Sequence, residues 1–177
     1  MSRHLALLRG VNLGRRQVRS AELKSAFAAM GFANVRTLLA SGNVLFDADP
    51  ETVSAAVIET ALQQRFGFDI GTVLRSQDEI RAIIASDPFR GRVEDDDTKL
   101  YVTFVADRRA RSLPLPCAVA GDFEVVGVSD GEVFMLAHRL PTGRFGAGME
   151  LVSRHFGSKR LWTSRNFNTV IKAAETA

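Results

Sequence analysis

A single cysteine, Cys117, stands among 177 residues, so neither an intrachain disulfide nor a cysteine-based zinc site can form. No apolar run approaches the roughly 18 residues that a spanning helix needs, so no membrane partner is expected. The opening Met1-Ser2-Arg3-His4-Leu5-Ala6-Leu7-Leu8-Arg9 has too short an apolar run for a secretory leader and no small-residue cleavage site. These absences make a cytoplasmic location the expectation. There is no G-x-x-x-x-G-K-S/T phosphate loop and no H-E-x-x-H pair. The three histidines, His4, His138 and His155, are scattered, so no metal site and no cofactor are expected. Lysine is scarce too: only Lys24, Lys99, Lys159 and Lys172 occur, and arginine carries most of the positive charge.

The apolar fraction of 46% and the charged fraction of 24% are ordinary globular values. The net charge of +3 hides an uneven distribution. Residues 1–46 carry about +6, residues 136–177 about +5, and the stretch between them about −8. Two basic ends thus flank an acidic centre, and together they would suit phosphate or another anion.

The run His4 to Arg9 reads as a strand entering a glycine-containing loop, Arg9-Gly10-Val11-Asn12-Leu13-Gly14. Ser20 is the expected cap of a helix carrying Leu23, Phe27 and Met30, stopped at Gly31. Val35–Leu39 and Val44–Phe46 read as a hairpin around Ser41-Gly42-Asn43. Asp49-Pro50-Glu51 predicts the start of a second helix, with Val53, Val57, Ile58, Ala61 and Leu62 as its stripe and Phe66-Gly67 as its end. Phe68–Leu74 is a fourth strand, and Ser76-Gln77-Asp78-Glu79 opens a connecting helix through a capping box. Glu94-Asp95-Asp96-Asp97 reads as a solvated link.

The second part reads as a strand at Leu100–Val105, an irregular piece with Pro114 and Pro116, and a hairpin of Phe123–Val128 with Val133–Ala137. A partly helical stretch follows from Phe145 to Phe156, weakened by Gly146 and Gly148. Leu161-Trp162 is a short strand, and Ser164 to Ala174 is the closing helix. The expected fold class is α+β: two ferredoxin-like βαββαβ subdomains with antiparallel sheets. The expected division is a first half over 1–75, a connecting helix and acidic link over 76–98, and a less regular second half over 99–177.

Three polar segments are candidates for ligand contact. The loop after the first strand offers backbone amides beside Arg9 and Asn12, a pattern that can cradle an anion. Ser164-Arg165-Asn166-Phe167-Asn168-Thr169 places Arg165, Asn166 and Asn168 at a helix start, where a second asparagine is locally unfavourable and suggests a polar task. Ser41 and Asn43 form a hairpin tip. An RNA-binding sheet would need exposed aromatics, and Tyr101 and Phe134 are the pair that could share a face, although core packing explains both.

The run Ala6-Leu7-Leu8-Arg9-Gly10-Val11-Asn12-Leu13-Gly14 resembles the bacterial family called domain of unknown function 1697. So do Ala21-Glu22-Leu23, Gly31-Phe32-Ala33-Asn34-Val35-Arg36-Thr37 and Ser41-Gly42-Asn43-Val44-Leu45-Phe46. Leu100-Tyr101-Val102-Thr103-Phe104 and Thr163-Ser164-Arg165-Asn166-Phe167-Asn168-Thr169-Val170 match its later segments. The resemblance implies two ferredoxin-like subdomains and no activity. The chain departs from the family's habit at Arg15, where a glycine is common, and at Phe167, where tryptophan is. It also departs at Gly146-Ala147-Gly148-Met149-Glu150, where a serine-lysine pair is usual.

The leading functional expectation is a binding protein for an anionic ligand: a nucleotide, a phosphate-bearing small molecule or a nucleic acid. One alternative is an enzyme acting on a phosphate- or carboxylate-bearing substrate, with arginine stabilising developing charge but no evident general base. The other is a homodimeric interaction module using a sheet edge or face.

Overall fold

The computed structural model describes residues 1–12, 14, 16–39, 42–157 and 161–176. The chain divides into two compact units, Met1–Ala82 with Ile171–Ala177, and Ile83–Val170. The division falls inside the connecting helix, and the first unit takes the end of the closing helix.

The first unit runs β1 (Ser2–Arg9), α1 (Ser20–Ala29), β2 (Ala33–Leu38), β3 (Asn43–Ala48), α2 (Ala55–Phe66) and β4 (Gly71–Ser76). Helix α3 (Gln77–Ala85) follows directly on β4. The sheet order is β2-β3-β1-β4, and every neighbouring pair is antiparallel. This is a split βαβ arrangement. Side chains alternate across a strand, so Ala6 and Leu8 of β1 share a face with Val44 and Phe46 of β3. That face packs with Leu23, Phe27, Ile58 and Leu62 from the two helices. Phe46 anchors the layer: its ring lies 5.3 Å from Phe27 and 4.5 Å from Phe32. Leu5, Leu7 and Leu45 point the other way and are equally buried, which explains why β1 reads as a continuous apolar run rather than an alternating one.

Two helix starts differ from expectation. The cap of α1 is Arg19, whose backbone N–H donates to Glu22 at 2.9 Å, and Ser20 is already helical. Asp49 does not open α2. Its side chain accepts from Glu51 and its carbonyl from Thr52, closing a single turn. The helix begins only after Ser54, which accepts from the Val57 N–H at 3.2 Å. Val57 therefore faces out, 54% exposed, and leaves the stripe to Ile58 and Leu62. The Ser76–Glu79 capping box forms as expected, with both reciprocal bonds present at 2.8 and 3.1 Å.

The second unit holds β5 (Thr98–Val105), β6 (Ala118–Val119), β7 (Phe123–Val128), β8 (Glu132–His138), α4 (Glu150–Phe156) and β9 (Trp162–Asn166). Helix α5 (Phe167–Glu175) begins here and ends in the first unit. Its sheet order is β6-β7-β8-β5-β9, so β7, β8, β5 and β9 repeat the order of β2, β3, β1 and β4. The registers repeat as well. Leu5 of β1 lies between Leu45 and Arg75, and Val102 of β5 lies between Phe134 and Arg165. The first crossover differs from a βαββαβ unit, because a 3-10 turn at Ala110–Ser112 and the two-residue β6 replace a helix.

In the second crossover, a 3-10 turn at Ala147–Met149 leads into α4. The glycines there are steric necessities. A Cβ on Gly148 would sit 2.8 Å from the Asp122 carboxylate, and one on Gly146 would sit 2.8 Å from Ala137 Cβ. Asp122 also accepts the Gly148 N–H at 2.5 Å, which ties this stretch to the start of β7.

The candidate site: a loop and a turn at one end of the first sheet

The loop that follows β1 is held by its own polar groups. Asn12 accepts the Val18 N–H at 3.1 Å, which ties Asn12 to a residue just before the start of α1. Val11 and Val18 are buried and anchor the loop, while Asn12, Gly14 and Arg16 are exposed and Arg9 is half-buried. Opposite lies the β2–β3 turn. The Leu8 N–H donates to Gly42 O at 2.8 Å. Gly42 adopts φ +73°, and a Cβ there would meet Val11 Cγ2 at 2.8 Å and Leu8 Cβ at 3.1 Å. The loop bearing Arg9 and Asn12 therefore seats directly on the turn bearing Asn43. Asn43 itself is 1% exposed and donates to Leu38 O at 3.2 Å, so it holds the hairpin closed. Ser41 lies outside the described residues.

The same end carries a group that the sequence reading passed over. Gly67 enters the left-handed region at φ +79° and ends α2, its N–H donating to Gln63 O at 2.8 Å. This reversal puts Phe68 beside Phe66, with ring centroids 6.5 Å apart. The Arg16 guanidinium lies over the Phe68 ring at 5.0 Å, and that of Arg65 over Phe66 at 6.0 Å. A Cβ on Gly10 would be 3.8 Å from Asp69 O, which brings the loop against this segment. The signal for it was a Phe-Gly-Phe triplet at a helix end. Only the fold brings Arg16 to it, from about fifty residues earlier in the chain.

Arg165, Asn166 and Asn168 are arranged differently from the expectation. Ser164-Arg165-Asn166 lie on β9 rather than in a helix, and α5 starts only at Phe167. Asn166 caps the helix, accepting the Asn168 N–H at 2.9 Å. Both asparagine amides donate to Glu94, Asn168 at 2.9 Å. Glu94 also accepts the Leu100 N–H at 2.8 Å and lies 3.9 Å from the Lys99 ammonium. Glu94 is therefore not part of a solvated acidic run. It is largely buried and organises the β9–α5 junction, and no periodicity in the sequence could single it out from Asp95, Asp96 and Asp97. Burial, and then the Glu94 charge, push the Tyr101 phenol above its ordinary pKa.

Arg165 is held inward. Its guanidinium donates to Thr163 Oγ1 at 2.6 Å and to Ser164 O at 2.9 Å, and burial lowers its pKa to about 10. Arg75, 2% exposed, makes the matching bond in the first unit, to Leu74 O at 2.8 Å. Each arginine precedes the residue that caps the following helix. The repeat therefore extends to a side-chain hydrogen bond, and it marks Arg165 as a structural element of the repeat.

Tyr101 and Phe134 do not share a face. Val102 is the residue opposite Phe134 and Met135 the one opposite Tyr101, so the two rings point to opposite sides of the sheet. Phe134 is buried, its ring 5.9 Å from that of Phe89. Cys117 lines a shallow groove with Leu113, Pro114, Pro116, Leu151 and His155, and burial raises its thiol pKa. Among the described residues no three His, Cys, Asp or Glu side chains cluster as a metal site requires, and no helix is long and apolar enough to cross a membrane.

The fold and this site define an α+β protein of two antiparallel sheets. The sequence model of the family described as "Protein of unknown function (DUF1697)" matches residues 1–134, and the chain belongs to that family. The conserved bacterial protein SP0830 from Streptococcus pneumoniae has a similar solved structure, with a TM-score of 0.65 at 21% identity over 99% of this chain and 97% of that one. No curated protein matches.

Proposed function

We propose that the chain is a binding protein for an anionic ligand, a nucleotide, another phosphate-bearing molecule or a nucleic acid, taken up at the loop after β1. The observation that supports this most is the seating of the Arg9–Arg16 loop on the Gly42 turn by the Leu8–Gly42 hydrogen bond. A loop of backbone amides seated on a turn, with arginine beside it, can hold an anion. Of the polar residues singled out in the sequence, Arg9 and Asn12 remain as ligand contacts in this reading. Asn43, Asn166 and Asn168 serve as supports, because their side chains hold the hairpin and the β9–α5 junction. Titration calorimetry with inorganic pyrophosphate tests the proposal. Binding should weaken with salt and fall roughly tenfold in Arg9→Ala. Salt-independent affinity, or unchanged affinity in that variant, would overturn it.

A second reading, a homodimer joined through the second sheet, has one observation in its favour. The terminal strand β6 is short, and Val119, Leu115 and Leu151 around it are 39%, 52% and 42% exposed. Analytical ultracentrifugation of wild type and Leu151→Glu decides it: a dimer lost in the variant supports the reading, and a monomer at every concentration removes it.

A further inference from the structure

We infer that the anion site extends over the Phe66–Phe68 patch and takes single-stranded nucleic acid, with a base stacked on Phe68. This rests on the anion-binding reading of the neighbouring loop and assigns it a ligand class. Phosphate alone does not call for aromatic rings. The patch supplies two of them, both half-buried and each with an arginine guanidinium over its outer face, at 5.0 Å for Arg16 on Phe68 and 6.0 Å for Arg65 on Phe66.

One side of each ring packs on the core of the first unit, so its position is fixed before any ligand arrives. Arg16 is exposed and belongs to the anion loop itself, so it links the phosphate-binding segment to the ring. Asp69, the neighbouring carboxylate, is engaged by the Gln63 amide at 2.7 Å. Arg65 is steered by Ser25 of α1, whose hydroxyl accepts from it at 3.3 Å.

A flat ring against the core with guanidinium above it is the arrangement that splayed bases use, since bases stack on aromatic rings and on guanidinium planes alike. The base takes the ring face that Arg16 now covers, and the displaced guanidinium pairs with the flanking phosphate. Because the two rings are tilted by 38° to each other, they do not form one continuous platform. Phe66 and Phe68 therefore receive separate bases, and a single strand fits where a stacked duplex does not.

The test is fluorescence anisotropy of a labelled oligothymidine of about ten nucleotides, with the duplex of the same length and inorganic pyrophosphate as comparisons. The inference expects the single strand to bind more tightly than the duplex. Phe68→Leu, which keeps an apolar side chain on the core, should weaken single-strand binding roughly tenfold, a larger factor than its effect on pyrophosphate binding. Arg16→Gln should lower the slope of log affinity against log salt by about one. Equal affinity for wild type and Phe68→Leu, or a preference for duplex, overturns the inference while anion binding stands. Absence of binding to both oligonucleotide and pyrophosphate overturns both.

Discussion

Asn168 donates its side-chain amide to Glu94 at 2.9 Å, across seventy-four positions of sequence, and by doing so turns from a candidate ligand contact into a structural fastening. Asn166 donates to the same carboxylate from the preceding strand. Glu94 thereby joins the link before β5 to the start of α5.

Removing Glu94 leaves two amides and the Leu100 N–H short of an acceptor. Glu94→Ala is expected to destabilise the fold by roughly 2–3 kcal/mol, measured by urea unfolding. Asn168→Ala should cost less and should add little on top of Glu94→Ala, because the two act through one bond. A Glu94→Ala midpoint indistinguishable from wild type would refute the junction as described.

Gly42→Ala carries two penalties, a left-handed backbone and a Cβ 2.8 Å from Val11 Cγ2. The expected loss is at least about 1 kcal/mol, with pyrophosphate affinity falling in parallel because the loop is displaced. A variant of normal stability and normal affinity would show that the turn does not position the loop.

His4 gives the protein a weak point in acid. It is buried in β1, its ring stacked 5.6 Å from Phe46 and its Nε2 3.0 Å from Ser2 Oγ. Burial lowers its pKa more than the Ala48 backbone and the Asp47 and Glu79 charges raise it. The unfolded chain then binds more protons than the folded one below the ordinary value of 6.5, so stability should be full above that pH and fall as pH drops through it. Melting temperatures at about pH 7.5 and 5.5 should differ in wild type and differ less in His4→Gln. An equal drop in both would assign the acid sensitivity to other groups.

Much of the fold was legible in the sequence, because the strongest signals were local. The apolar runs of β1 and β5, the Ser76–Glu79 box and the Phe66-Gly67 stop all lie where the residues put them. Boundaries failed where two local options competed. Asp49-Pro50 has every attribute of a helix start, yet it forms one isolated turn because Ser54 caps the helix that reaches the core. Ser164–Asn166 joined β9 because pairing with Tyr101, Val102 and Thr103 satisfies their backbone in the sheet.

The candidate site was half legible. Arg9 and Asn12 sit in a glycine loop whose purpose can be guessed from composition. The Arg16–Phe68 contact and the Glu94 hub depend on distant partners, and nothing in a single sequence marks which arginine or which acid meets them.

The most direct test is an amide NMR titration of the full chain with inorganic pyrophosphate. Anion binding at the loop predicts shifts concentrated in residues 9–18 and 42–43, fading as salt rises. Shifts confined to residues around Glu94, Asn166 and Asn168, or none at all, would contradict it.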